Sequence, residues 1–202
     1  MNKKLMLGVL GLVVIVVVAW VAYKYVALQR EAVQWEGQLE EIASEKMEKI
    51  EDTWHIEFQT IFDAPVDRVY EAYSHPERAR ELAPDRVDLS ELRSSTDKTK
   101  VVELRARILN LPIQRLVIEY TFYPEEKRIA SRTLEYNLAD ISSQYRFEPS
   151  PDGKRTLLRF SQTSKEKLGN PLPESVQKGA LKESYVTTVR AVKKVLGISP
   201  AS

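Results

Sequence analysis

Residues 62–85 read FDAPVDRVYEAYSHPERARELAPD, and the fold turns on this stretch. Just before and into it, HIEFQTIFDA (residues 55–64) alternates, which puts Ile56, Phe58 and Thr60 on one face of a strand. At Pro65 the period changes. Asp63 is placed to cap a helix, Pro65 suits the first turn, and Val66, Val69, Tyr70 and Tyr73 recur at helical spacing. A second short helix is expected from about Pro76 to just before Pro84, because each proline limits what the chain can continue. A strand therefore runs directly into two short helices.

Working outward towards the C-terminus, alternation resumes and repeats. Strands are expected at about 86–95, 99–109, 113–123, 128–136, 141–148 and 155–163. Ser94 to Lys98, Leu111 with Pro112, Pro124 to Lys127 and Pro149 to Gly153 supply turn residues between them. After Pro171 and Pro173, ESVQKGALKESYVTTVRAVKKVLG predicts one long helix. Its broad face holds Val176, Ala180, Leu181, Ser184, Tyr185, Thr188, Val192 and Leu196, and Gly197 is placed to end it.

This order, together with the Ala-Pro pair, the Val-aromatic helix and the proline-started second helix of residues 62–85, resembles the SRPBCC superfamily, also called START-like or Bet v1-like and including polyketide cyclases. Tyr70 stands where many members carry tryptophan, a mild departure. The resemblance covers about residues 54–197 and implies an α+β helix-grip fold, a curved antiparallel sheet wrapped on the long C-terminal helix. It also implies a cavity between sheet and helix that holds an apolar molecule. Val102, Leu104, Ala106 and Ile108 alternate with charged residues, as do Leu116, Ile118, Tyr120 and Phe122, so both sets belong on the concave face. With Tyr145, Phe147, Val176, Ala180 and Tyr185 they form the expected ligand-binding wall, joined by Leu158 and Phe160. Alternation alone does not separate a hollow core from a filled one.

Upstream, LMLGVLGLVVIVVVAWV (residues 5–21) carries no charge and continues through Ala22 and Tyr23 to Lys24. The run approaches the roughly 20 apolar residues that cross a bilayer, with Trp20, Tyr23 and Tyr25 at one interface. It is longer than the apolar part of a cleaved signal peptide, and no clean small-x-small site follows. Residues 1–27 are expected to be a single-pass anchor in the bilayer, 28–53 a helical stalk, 54–197 the domain and 198–202 a tail. Lys3 and Lys4 favour a cytoplasmic N-terminus, which in a bacterium puts the anchor in the inner membrane and the domain in the periplasm. In the stalk, Leu28, Ala32, Trp35, Leu39 and Ile42 follow a coiled-coil spacing that fails at Lys46 and Lys49, and Gly37 is a weak point. A helical stalk would lift the domain about 30–40 Å from the bilayer.

Composition narrows the chemistry. The 202 residues hold 30 Lys+Arg against 29 Asp+Glu, so no chain-wide field attracts nucleic acid, and none is expected as a partner. Absence of cysteine excludes disulfides, thiolate metal sites and a cysteine nucleophile. The two histidines, His55 and His75, lie in different elements, so neither a metal site nor a cofactor is expected. His75 reads as a cap or surface residue, and no glycine-rich phosphate loop or nucleophile elbow appears. Arg132 reads as either a ligand-holding cation or a solvent-facing residue, and Arg105, Arg107 and Arg115 as an outer stripe. Three functions follow from the sequence and the resemblance: binding, transfer or presentation of a lipid or other hydrophobic ligand beside the membrane; a non-catalytic subunit of an inner-membrane protein complex; and a cyclase-like enzyme.

Overall fold

The structure, a computed structural model, describes residues 3–36, 41–109, 111–167 and 172–198, with side chains from residue 16 onward except those of 35 and 36. Helix α1 (Lys3–Glu36) leads into strands β1 (Ser44–Ile50) and β2 (Thr53–Phe62). The short helices α2 (Val66–Tyr73) and α3 (Ala79–Leu82) follow, joined by a 3-10 turn at Pro76–Arg78. Strands β3 (Val87–Ser95), β4 (Thr99–Ala106), β5 (Gln114–Tyr123), β6 (Arg128–Glu135), β7 (Ala139–Pro149) and β8 (Thr156–Glu166) precede helix α4 (Glu174–Leu196). The strands make one antiparallel sheet in the order β1-β2-β8-β7-β6-β5-β4-β3, with α4 across its concave face. This is the helix-grip architecture.

Local sequence explains most of these elements. Along β2, Trp54, Ile56, Phe58, Thr60 and Phe62 are buried while His55, Glu57 and Ile61 face out. Gly197 ends α4 at φ 72°, a left-handed conformation in which it costs no Cβ strain. At the start of α2 the cap position is Pro65, with no side-chain cap bond, so Asp63 does not cap it.

The helical stalk is corrected in its later part. Helix α1 continues to Glu36 as expected, but residues 44–50 form the edge strand β1, paired with β2 from Ser44 opposite Gln59 to Ile50 opposite Thr53. The charges of residues 41–49 read as those of a helix, but they meet partners on α4 and in the sheet. Glu41 binds Lys193, Glu45 lies 2.7 Å from Lys182, and Lys49 lies 2.7 Å from Glu166. Lys182 is 1 % exposed, so these pairs fasten the segment to the domain rather than hold it in water. A short, charged edge strand also discourages pairing with another sheet.

Leu28 and Ala32, on the coiled-coil spacing of the stalk, pack on α4 with Val176 and Leu109. Gly179 allows this approach: a Cβ there would lie 2.5 Å from the Ala32 carbonyl oxygen. Residues 37–40 and the Trp35 side chain lie outside the described set, and with them the readings of Gly37 and Leu39. Among the described residues no helix is long and apolar enough to cross a membrane, and the side chains of the first part of the expected anchor, up to Ile15, are not among them.

Candidate functional site

The sheet is filled at one side and open at the other. Over β2, β8 and the adjoining part of β7, aromatic rings interlock: Phe58 to Tyr185 at 4.7 Å, Tyr145 to Phe160 at 4.9 Å and Tyr73 to Phe147 at 5.2 Å. Offset and tilted ring contacts at these distances are favourable, and they close the side of the sheet beyond the rings while one edge of the cluster faces the cavity. Tyr185 Oη also lies 2.8 Å from Thr60 Oγ1, which donates to the Glu41 carbonyl, so the tyrosine fixes the middle of α4 on the sheet.

Over β4 to β7, α4 does not close the gap. A cavity of about 270 Å³ is walled by Leu104, Leu116, Ile118, Tyr120, Ile129 and Ile141 from the sheet, by Leu82 and Ala83 next to the short helices, and by Glu183 and Thr187 of α4. A second, of about 210 Å³, extends beneath the start of α4 and is walled by Phe58, Phe160, Leu111, Leu138, Leu172 and Ala180. Both include Ile108, Leu116, Ile141, Tyr145, Gln162, Ser184 and Thr188, so the two chambers adjoin across these residues. Each alone falls short of the roughly 300–1,000 Å³ usual for ligand sites; together they reach it.

Of the residues expected on the ligand wall, Leu104, Ala106, Ile108, Leu116, Ile118, Tyr120 and Tyr145 line the first chamber, and Ala180 and Tyr185 the second. Four do not. Val102 and Phe147 are buried, and Phe122 packs on the same core as Phe147. Val176 is turned towards Leu28 and Ala32, because α1 covers that side of α4. Leu158 is likewise core, whereas Phe160 reaches the second chamber.

Polar residues inside the space were not visible in the sequence. Glu183 is 2 % exposed and lines the first chamber. Its Oε2 accepts the Leu109 backbone N–H at 2.5 Å, and its Oε1 lies 2.6 Å from Arg86. Burial raises its pKa above the ordinary carboxylate range, against the pull of the Leu109 amide and Arg86. Flanked by Lys182 and Ser184, it reads in sequence as a surface charge. Ser131, Thr133, Ser143 and Gln162 also face the cavity, with Ser143 Oγ donating to Gln162 Oε1 at 3.1 Å.

The tyrosines offer donors rather than bases. Burial pushes Tyr145 up to about 12, and raises Tyr73, Tyr120 and Tyr185 as well, so all four keep their protons at neutral pH. His75 sits at the rim of the first chamber, bound at 3.0 Å to both Glu71 and Glu77. Those carboxylates raise its pKa. His55 faces outward into a groove beside Glu57 and Glu119. Arg132 donates to Glu119 at 2.7 Å on the outer face, which settles its orientation. Of the outer arginines, Arg115 and Arg105 lie 2.9 Å and 3.5 Å from Glu103, joined by Arg93 at 2.5 Å. They neutralise a fully buried carboxylate, and Arg107 pairs with Asp88 at 3.9 Å.

Residues 53–197 match the family model described as polyketide cyclase / dehydrase and lipid transport. Comparison with curated protein sequences finds no match. Among solved structures, the Zhui aromatase/cyclase from Streptomyces sp. R1128 is similar at 19% identity and TM-score 0.63, over 72% of this chain and 94% of that one. A START superfamily protein from Mycobacterium smegmatis is similar at 14% identity and TM-score 0.59, over 71% and 97% of the two chains. Norcoclaurine synthase from Thalictrum flavum gives 13% identity and TM-score 0.56, over 71% and 86%. At these identities the likeness is one of fold, shared by enzymes and by proteins whose names state no reaction.

Proposed function

The chain belongs to the polyketide cyclase, dehydrase and lipid transport family, and from that premise we propose that it binds an elongated hydrophobic molecule, a lipid or isoprenoid, and holds or presents it beside a bilayer. The observation that carries this reading is the pair of adjoining chambers under α4, apolar on most of their wall and together reaching from α3 to the first turns of α4. Burial of the ligand at about 25 cal/mol per Å² of apolar surface supplies the affinity.

Tethering is part of the proposal. The uncharged run from Leu5 to Tyr23 is the anchor, and Lys3 and Lys4 before it favour a cytoplasmic N-terminus, hence a periplasmic domain in a bacterium. Helix α1 supports this placement, because it runs unbroken from Lys3 to Glu36 and docks on α4 from Leu28 onward. At 1.5 Å per residue, Tyr23 and Leu28 stand only about 7–8 Å apart along the axis. Ala32 meets Gly179 while Glu41 meets Lys193, so the two segments run in the same direction and the apolar part of α1 leads past the start of α4. That end carries Leu111, Leu138 and Leu172 on the second chamber, and the exposed Ile113 and Leu134. The cavity then opens towards the lipid.

Mass spectrometry of organic extracts from detergent-purified full-length protein tests the reading. A stoichiometric amphiphile that recurs between preparations is expected. Repeatedly empty protein that also fails to bind a fluorescent lipid refutes it. A cyclase-like reaction is the second reading, favoured by Glu183, a carboxyl of raised pKa on the chamber wall. Turnover of a polyketide-like substrate that is lost in Glu183→Gln would establish it, and turnover unchanged in that variant would remove its basis.

A further inference from the structure

The concave face carries a row of residues that an apolar core does not require. Across four neighbouring strands Tyr120 pairs with Ser131, Ser131 with Ser143, and Ser143 with Gln162. Directly opposed residues on one face of an antiparallel sheet stand side by side, so these form a continuous band. All four line the first chamber, and Gln162 belongs to both chambers. The band therefore crosses the wall of the first chamber and reaches the second at Gln162. Two serines where large aliphatic residues would fill the gap also help to keep it hollow.

Hydrogen bonding within the band is incomplete. Ser143 Oγ donates to Gln162 Oε1 at 3.1 Å, which leaves the Gln162 amide nitrogen without a protein acceptor among the described residues. Turning the amide over would leave its oxygen instead, so either assignment presents one neutral hydrogen-bonding group to the cavity. A plain hydrocarbon filling the space would strip water from these groups and return nothing. Charge sets a second condition. The band contains no ionisable side chain except the tyrosine, which burial keeps protonated. Arg132 on the same strand as Ser131 is turned outward to Glu119, and Arg86 lies against Glu183 at the chamber's other wall. An ionised group opposite the band would be desolvated with no counter-charge.

We propose that Ser131, Ser143 and Gln162 form a recognition subsite for a neutral carbonyl or hydroxyl group carried partway along a hydrophobic ligand. This rests on the ligand-binding reading above and narrows it: the ligand is a ketone, ester or alcohol in its middle portion, with apolar arms in the two chambers. Discrimination comes from the unpaired amide, which is satisfied by such a group and left unsatisfied by an alkane.

Competition against a fluorescent alkyl probe bound to the full-length protein in detergent tests it. Three competitors of equal chain length are used: a ketone with a mid-chain carbonyl, the alkane, and the fatty acid. A preference of roughly five- to fifteen-fold for the ketone over the alkane is expected, the value of about one net hydrogen bond. In Gln162→Leu that preference should vanish while the alkane binds at least as well; Ser143→Ala, which removes little volume, should reduce it in the same sense. A ketone preference that survives in both variants, or a fatty acid that outcompetes the ketone, overturns the subsite. If the probe is displaced by none of the three, the ligand-binding reading falls, and the subsite with it.

Discussion

Replacing Ser184 and Thr188 by leucine asks whether the space under α4 is hollow. The two residues are one helical turn apart, line both chambers and remain solvent-accessible. In a hollow site each leucine buries new apolar surface against Leu116, Ile141 and Tyr145. Full burial of a leucine stabilises by about 1.5–3 kcal/mol, and a wall on one side only yields roughly half of that. Ser184→Leu adds about 0.5 kcal/mol through helix propensity. Against this, Thr188 gives up its hydrogen bond to the Ser184 carbonyl at 3.0 Å, a small loss at an exposed position. The double variant should therefore gain about 2 kcal/mol. In a filled core the same change overpacks and costs about 1–3 kcal/mol per site. The alternatives differ in sign. Urea unfolding of the ligand-free full-length protein in mild detergent, followed by near-ultraviolet circular dichroism, should show the midpoint rising by about 1 M for a slope near 2 kcal/mol per M. Probe binding should be lost in the same variant. A midpoint that falls while the slope and probe binding are retained refutes the hollow cavity.

Three further outcomes follow from individual contacts. Gly179→Ala puts a Cβ 2.5 Å from the Ala32 carbonyl oxygen and 2.6 Å from its Cα, atoms that move only if α1 moves. A cost of about 1–3 kcal/mol should exceed the helix-propensity gain of about 1 kcal/mol, and hydrogen exchange should speed up around residues 28–34; unchanged exchange there would mean α1 is not held by this contact. Hydrogen bonds from Arg115 and Arg93 hold the Glu103 carboxyl down to about 2, from an ordinary 4.5. Its contribution is thus complete above 4.5 and lost as pH falls towards 2, so acid unfolding of Glu103→Gln should be flatter across that window, which unfolding midpoints at several pH values will read. His75 is shifted the other way by Glu77 and Glu71, so its contribution is complete below 6.5 and lost as pH rises through the raised folded value. An imidazole NMR titration should give a midpoint above 6.5, and His75→Gln should remove the matching slope in stability.

How far the site can be read from sequence depends on what each strand's inner face carries. Where that face is aliphatic or aromatic, as in β4 and β5, alternation with charged residues locates both the strand and its orientation, and Leu104 with Ile118 falls where expected. Strand β6 has no such signal. Its sequence RIASRTLE allows Ala130 and Leu134 or Ile129, Ser131 and Thr133 to face inward, and a one-residue slip exchanges the sets. The structure turns the second set in, because Arg132 finds Glu119 outside. The N-terminal segment is hidden for a related reason. Glu41, Glu45 and Lys49 look solvated until α4 and β8 bring Lys193, Lys182 and Glu166 to them across the fold, and no local pattern announces pairs so distant in sequence. The Arg86–Glu183 pair is concealed in the same way. The concealment is itself informative. A filled core needs large apolar residues on every inner position, and that need is what makes a strand legible. Where small hydroxyl residues and a glutamine take those positions instead, alternation fades, the wall is lowered and polar groups are left facing the gap. Strand β6, whose facing the sequence leaves open, lines the first chamber, because the same small hydroxyl residues that blur its pattern make the space a ligand would occupy.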